Sequence, residues 1–353
     1  MKNNKRLLIY GPHPLANGGV ETHMKRFLNL LNKDKELDFQ FYHYYAHREK
    51  INFKYLTHWQ IFFKGIKHEY DILLVHQFQS WRFHLLVSIL SSIFGVKTII
   101  YYHNNRFRDF YLAVRPALRI FTRLYFTFSK LVISVNPNTD FMFIPSKKIK
   151  NIPAFIPPTE DELKKENLPK EILRFRSRFN RVIASNAAKL KFYKGEDLYG
   201  FDLSIELMKL LKKNNNEFDV GLILVVPDTA NINYFNSLIN LVDKYSLNDN
   251  ILFITYNISF SALIAISDLF VRPTNTDGDA LSIRESLYLN IPVVASNAVS
   301  RPDGCILFEN RSLNDYYNIV NKTLLHLDKY KNEIKKIGYL NYYREIISLI
   351  KKL

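Results

Sequence analysis

Cysteine is almost missing from this 353-residue chain, which has one, Cys305. A single thiol excludes an internal disulfide framework and any cysteine-based zinc site, and it suits a reducing compartment. Long apolar runs are missing too. The longest uncharged apolar run, "LLVSILSSIFGV" (85–96), is well short of a bilayer-spanning helix. Gly95 and Lys97 close it, so it reads as a core helix. The apolar part of "MKNNKRLLIYGPHP" is too short for a signal peptide. There is no short-period repeat and no low-complexity tract. Acidic residues are scarce in the first half: residues 1–160 carry a balance of +13 and residues 161–353 one of +3, within a total of +16. Such a field meets something anionic, with nucleic acid and an anionic membrane surface as the physical candidates. No recognised nucleic-acid motif accompanies it, and the charge is not gathered on one recognition helix, so no nucleic-acid partner is expected.

What is present is a globular composition, 47% hydrophobic and 14% aromatic, in a chain long enough for two domains. Strand-like and helix-like segments alternate. "RLLIYGP" (6–12), "LDFQFYHYY", "YDILLVHQF" (70–78), "VKTIIYYHNN" (96–105) and "KLVISVN" (130–136) read as strands, with helices such as 18–33 between them. "IPAFIPPTEDELKKENLPKE" (152–171), with four prolines, reads as an interdomain connection. The alternation then restarts, with strands expected at 181–187, 219–226, 250–255, 268–274 and 291–297 and a long helical pattern at 312–334. Parallel strands joined by crossovers follow, in two doubly wound α/β domains in tandem facing a cleft. The expected boundaries are 1–160 for the first domain, 161–180 for a linker and 181–337 for the second.

The polar centre of the second domain is "TNTDGDALSIRESLYLNIPVVASN" (274–297). A strand delivers the chain to a turn, and a helix begins near Leu281 or Ser282. Unsatisfied amides at a helix start, here from Asp279 through Ala280 and Leu281 to Ser282, form an anion site with the positive end of the dipole. The anion fits a phosphate or diphosphate. Asp277 lies in the turn, where it can accept from neutral hydroxyls, and Glu285 lies about one helical turn in. An anion site flanked by two carboxylates suits a nucleotide sugar. Arg272 and Arg284 lie near these acids and could equally be their ion-pair partners. No cluster of His, Cys and carboxylates with metal-ligand spacing is evident, so no metal is expected, and the nucleotide sugar is a substrate rather than a cofactor.

At these residues the sequence resembles the retaining glycosyltransferases of the GT-B fold, specifically glycosyltransferase family 4. The family frame "EGFGLxxxEAxxxGxPVVAS" reads here "DGDALSIRESLYLNIPVVAS", with Asn290 where glycine is usual. The resemblance implies that Glu285 accepts from the ribose hydroxyls and that Asp277, one methylene shorter than the usual Glu, holds sugar hydroxyls. "GPHPLANGGVETHMKRFLNLL" resembles the family's opening, which implies that Gly18 and Gly19 let backbone approach the donor phosphates. His103, at the end of "TIIYYH", is implied to hydrogen-bond the transferred sugar; His76, one strand earlier, reads as structural. For the diphosphate clamp Lys189, Lys191 and Lys194 are available, with Lys189 and Lys194 favoured, and Gly195 or Gly200 marks the following helix start. The last helix, within 338–353, is implied to cross back onto domain one. Retention is implied by same-face attack in which the leaving phosphate takes the acceptor's proton.

Arg106, Arg108, Arg115, Arg119 and Arg123 stand among Phe, Tyr and Leu in residues 104–130, with the last three at four-residue spacing on one helix stripe. Basic residues beside aromatics suit an anionic bilayer surface; the plain alternative is a solvated helix face. The expectation is a UDP- or GDP-sugar-dependent, metal-independent hexosyltransferase, cytoplasmic and peripheral on the inner face of the plasma membrane. Its acceptor is expected to be a lipid-linked glycan of a bacterial O-antigen, capsule or lipopolysaccharide. A non-catalytic nucleotide-sugar-binding module, or an enzyme with a soluble acceptor, is the alternative.

Overall fold

The computed structural model describes residues 6–11, 19–33, 38–43, 58–76, 81–104, 107–214, 219–338 and 341–353. Gly18 and Arg106 lie outside them. The chain divides into two compact units, Met1–Ile156 with Asn341–Leu353, and Pro157–Leu340.

The first unit runs β1 (Arg6–Gly11), α1 (Gly19–Lys33), β2 (Asp38–His43), α2 (His58–Ile66), β3 (Ile72–His76), α3 (Trp81–Ile93), β4 (Lys97–Tyr102), α4 (Phe107–Ala113), α5 (Pro116–Phe128), β5 (Leu131–Ser134) and β6 (Ile149–Asn151). Its six strands pair in parallel in the order β2-β1-β3-β4-β5-β6. Side chains alternate across the sheet. Leu7 and Ile9 pack on one face with Met24, Phe27, Leu28 and Leu31 of α1, while Leu8 and Tyr10 pack on the other with Ile61 and Val87. Those four α1 residues follow the i, i+3, i+4, i+7 pattern that a core-facing helix requires.

The second unit runs α6 (Glu160–Leu163), α7 (Lys170–Ser177), β7 (Arg181–Asn186), β8 (Phe192–Tyr193), β9 (Glu196–Asp197), α8 (Phe201–Asn214), β10 (Val220–Val225), α9 (Ile232–Lys244), β11 (Ile251–Ile254), α10 (Phe260–Ile266), β12 (Leu269–Arg272), α11 (Leu281–Tyr288), β13 (Val293–Ser296), β14 (Cys305–Phe308), α12 (Leu313–Leu325) and α13 (Leu327–Ile337). The main sheet is again parallel, in the order β11-β10-β7-β12-β13-β14. Leaving out the β8–β9 hairpin, this is the dinucleotide-fold order 3-2-1-4-5-6. The final helix, α14 (Tyr343–Lys352), returns to the first unit. There Tyr343, Ile346, Ile347 and Ile350 join the core containing Leu7, Ile9 and Phe27.

The α/β class and the two parallel sheets follow the alternation in the sequence. Three local differences have physical causes. The stretch expected as a linker, 161–180, is largely helical: Thr159 and Glu162 form a capping box for α6. Pro169 stands at the N-cap of α7, whose Ile172 and Phe175 enter the second unit's core. Its proline therefore marks a helix start rather than a spacer. The helical pattern 312–334 breaks at His326 (φ −122°, ψ 36°) into α12 and α13. The short strands β6 and β14 carry too little alternation to be read from sequence.

Candidate donor site and histidine cluster

Ligands of doubly wound sheets bind beyond the carboxyl ends of the strands, where strand order reverses. In the second unit that point lies between β7 and β12, whose last residues are Asn186 and Arg272. Arg272 Nη1 donates to both the carbonyl (2.7 Å) and the side-chain oxygen (3.1 Å) of Asn186. Its Nε and Nη2 grip Asp277 at 2.9 and 3.3 Å. Arg301, 2% exposed in its side chain, reaches the same carboxylate at 3.1 Å. It also donates to Thr274 Oγ1 at 2.8 Å and to the Ser296 carbonyl at 3.1 Å. Thr274 Oγ1 (3.3 Å) and the Gly278 amide (3.0 Å) also donate to Asp277.

Asp277 is heavily engaged within its own unit. Its two oxygens offer about four lone-pair sites, and five donors inside the unit already fill them. Through them Asp277 pins the turn. Burial alone pushes its carboxyl up, but Arg272 and then Arg301 more than offset this and hold it below the usual carboxylate value. Two guanidiniums sharing one carboxylate leave one positive charge in excess within this cluster. Ion pairing also accounts for Arg284, whose Nε lies 2.6 Å from Asp279.

The turn delivers α11 with Ala280 as its N-cap and no side-chain cap. The first intrahelical bonds come from Ile283 and Arg284 to Ala280. The amides of Leu281 and Ser282 precede them, among the helix-start donors that a free anion can take. Glu285 is buried in the next turn, 4% exposed, and accepts from Ser261 Oγ of α10 at 3.1 Å. Asn290 follows the Leu289 C-cap of α11, and its φ of 58° falls in the left-handed region that Asn tolerates better than other side chains. That is why Asn can stand at this glycine position.

Lys194 and Gly195 form the two-residue turn of the β8–β9 hairpin, both at positive φ. The hairpin docks on the turn through Asn275 Nδ2, which donates to the Tyr193 carbonyl at 3.2 Å. Lys194 is exposed at its tip, and Lys189 is exposed after β7. Of the two glycines considered for the start of α8, it is Gly200 that precedes it, at φ +68°. A Cβ there would meet the Pro273 carbonyl at 2.4 Å, so α8 and the end of β12 approach as closely as only glycine permits.

In the first unit the order reverses between β1 and β3. His76 ends β3, His103 follows β4, and His23 lies in the first turns of α1. The structure brings all three together, although their positions in the sequence show no metal-ligand spacing. His76 Nδ1 and His103 Nε2 are 3.1 Å apart. His23 Nδ1 lies 2.8 Å from the Ala154 carbonyl. Burial holds all three imidazoles below the ordinary histidine value, His23 at about 4; for His76 and His103 the neighbouring rings add to it. Gly19 is the first residue of α1.

The arginine stripe divides. Arg108 pairs with Asp140 at 3.1 Å, and Arg119 Nε donates to the Val114 carbonyl at 3.0 Å. Arg115 and Arg123 are exposed. Beside them on α5 lie exposed Ile120, Phe121, Leu124 and Phe128.

Arg301 and Ser261 were not legible as site residues, because Arg301 follows a different strand and Ser261 belongs to another helix. The arginine ending β12, in "VRPT", was visible, and a second in "SRPD" after β13 is the signal that could have found its partner.

Known proteins share part of this sequence and its fold. Residues 186–319 match the family described as "Glycosyl transferases group 1". The O-antigen biosynthesis glycosyltransferase WclY of Escherichia coli is 30% identical over 222 residues, 60% of this chain and 58% of WclY. The alignment thus spans less than two thirds of that relative. Among solved structures, Anabaena Alr3699/HepE, in complex with UDP and glucose, superposes with a TM-score of 0.73 at 15% identity, covering 99% of this chain and 100% of its own. The lipopolysaccharide outer core galactosyltransferase WaaB, in its apo form, gives 0.63 at 11% identity over 99% and 100%. Residues 186–319 therefore carry the glycosyltransferase group 1 signature on a chain with the two-unit parallel α/β fold of GT-B glycosyltransferases.

Proposed function

We propose that the protein is a retaining glycosyltransferase that moves a hexose from a UDP- or GDP-sugar to a lipid-linked glycan of a bacterial surface polysaccharide, such as O-antigen or lipopolysaccharide. The observation that carries this reading is the start of α11, where uncapped amides stand one turn from the buried carboxylate of Glu285. The amides take the diphosphate and Glu285 accepts from the ribose. In the transfer, the bond from the anomeric carbon to the phosphate oxygen breaks and one to the acceptor oxygen forms on the same face, the leaving phosphate taking the acceptor's proton. Negative charge growing on the diphosphate is met by the helix-start amides, by the excess charge of Arg272 and Arg301, and by Lys189 and Lys194, without a metal. His103 meets the transferred sugar. The WclY likeness supports the O-antigen setting, and the UDP and glucose of HepE support the donor class.

The exposed apolar stripe of α5 supports a peripheral membrane setting. Its C-terminal end gathers Lys130, Lys147 and Lys148, and the charge on Lys148 is disfavoured by burial first and then by the other two. Among the described residues no helix is long and apolar enough to cross a membrane. The reading is tested with a panel of UDP- and GDP-sugars. One of them should raise the melting temperature and be turned over, and Glu285→Ala should lower turnover about 10–100-fold, the worth of a hydrogen bond to a charged group. Equal turnover in E285A, or no response to any donor, sinks it. An inverted anomeric configuration in the product, seen by NMR, would refute retention alone.

A further inference from the structure

We propose that His23, His76 and His103 form a three-histidine site for a zinc-type divalent cation at the carboxyl end of the first unit's sheet. Their ring centroids form a nearly equilateral triangle with sides of 5.4, 5.3 and 5.3 Å. Three imidazoles around a tetrahedral ion at nitrogen–metal distances of ~2.0–2.1 Å place their centroids about 5 Å apart. The nitrogens lie within 4.8 Å of one another, against about 3.3 Å in such an ion. The 3.1 Å between His76 Nδ1 and His103 Nε2 already matches a tetrahedral edge.

Two further features belong to a metal site rather than to a stack of core rings. His23 Nδ1 faces the Ala154 carbonyl, which fixes the proton on that nitrogen and leaves the lone pair on Nε2. That Nε2 is buried with no hydrogen-bond partner among the described residues. A buried acceptor without a donor costs free energy, and a cation supplies what it lacks. Tyr101 floors the cluster, its ring 4.6–5.0 Å from all three imidazoles, and excludes water from below. His103 is the partly exposed member, so the site opens on its side. Three neutral imidazoles with one open position suit Zn²⁺, Co²⁺ or Ni²⁺ rather than Mg²⁺ or Ca²⁺. His103 cannot serve an ion and a sugar at once, so binding is measured without donor.

The test uses the full chain without a histidine tag, stripped with chelator and titrated with Co²⁺. The expected result is one Co²⁺ per chain, with X-ray absorption showing three imidazoles in its shell, and a higher melting temperature with Co²⁺ than with Mg²⁺. His23→Gln and His76→Asn should each weaken binding by at least about 10-fold, with circular dichroism reporting whether each variant is folded. Less than one Co²⁺ per wild-type chain overturns the proposal, whatever the variants do. So does a shell without three imidazoles, or unchanged affinity in both folded variants.

Discussion

Asp277 holds a motif position and pins its turn through Arg272 and Arg301. Its frame relative to Glu285 is legible in the sequence, but its partners are not, because Arg301 comes from the segment beyond β13 and meets it only when β12 and β13 pair. Breaking such a buried set by removing the charge leaves two guanidiniums uncompensated, at a cost of ~3–5 kcal/mol. Asp277→Asn should therefore lower the melting temperature of the protein by roughly 10 °C. The wild-type contribution also has a definite pH dependence. The folded-state pKa of Asp277 is depressed, so its stabilisation is present at neutral pH and lost as the pH falls through that lowered value. Urea midpoints between pH 7 and pH 3 should fall less steeply in D277N than in the wild type; parallel curves would show that the carboxylate is not held by the arginines. The histidine cluster escaped the sequence for a related reason. His23, His76 and His103 belong to three different elements, and only parallel pairing of β1, β3 and β4 brings them to one point.

Elements in the interiors of the sheets were the easiest to anticipate, since buried parallel strands are continuous apolar runs. The edge strands β6 and β14 were not, and neither was α7, because the prolines before it imitate a linker. Helix α14 is a strong case of periodicity: Tyr343, Ile346, Ile347 and Ile350 share one buried face. Ile346 is fully buried, and Ile346→Ala should destabilise the first unit by ~2–5 kcal/mol, measured as a shift in its chemical denaturation midpoint. A shift below 0.5 kcal/mol by the same ledger of core substitutions would mean that α14 does not complete this core. Helix α5 carries the opposite arrangement, with Ile120, Phe121, Leu124 and Phe128 in solvent beside Arg115 and Arg123. At about 1 kcal/mol per basic residue near an anionic surface, Arg115→Ala with Arg123→Ala should weaken binding to phosphatidylserine vesicles by roughly 30-fold. Arg119→Ala should add less, since its guanidinium is engaged by the end of α4. Vesicle binding that is indifferent to R115A/R123A would remove α5 from the membrane.

At the scale of the whole molecule, two doubly wound units with different charge divide the labour. The first carries most of the excess positive charge, the exposed apolar helix face and the histidine cluster. The second carries the group 1 signature and the helix start with Glu285. The charge asymmetry and the fold were readable from composition and alternation, because both are sums over many residues. The candidate donor site was readable in part, since one contiguous stretch holds its turn, its helix start and one of its acids. Association with anionic vesicles should weaken as salt rises from 50 to 500 mM, as expected where the Debye length shrinks several-fold; salt-independent binding would assign it to the apolar stripe alone. The central claim is tested most directly by a crystal structure with UDP or GDP. The diphosphate should lie against the amides of Leu281 and Ser282, with the ribose hydroxyls on Glu285. A nucleotide bound elsewhere, with that position empty, would contradict it.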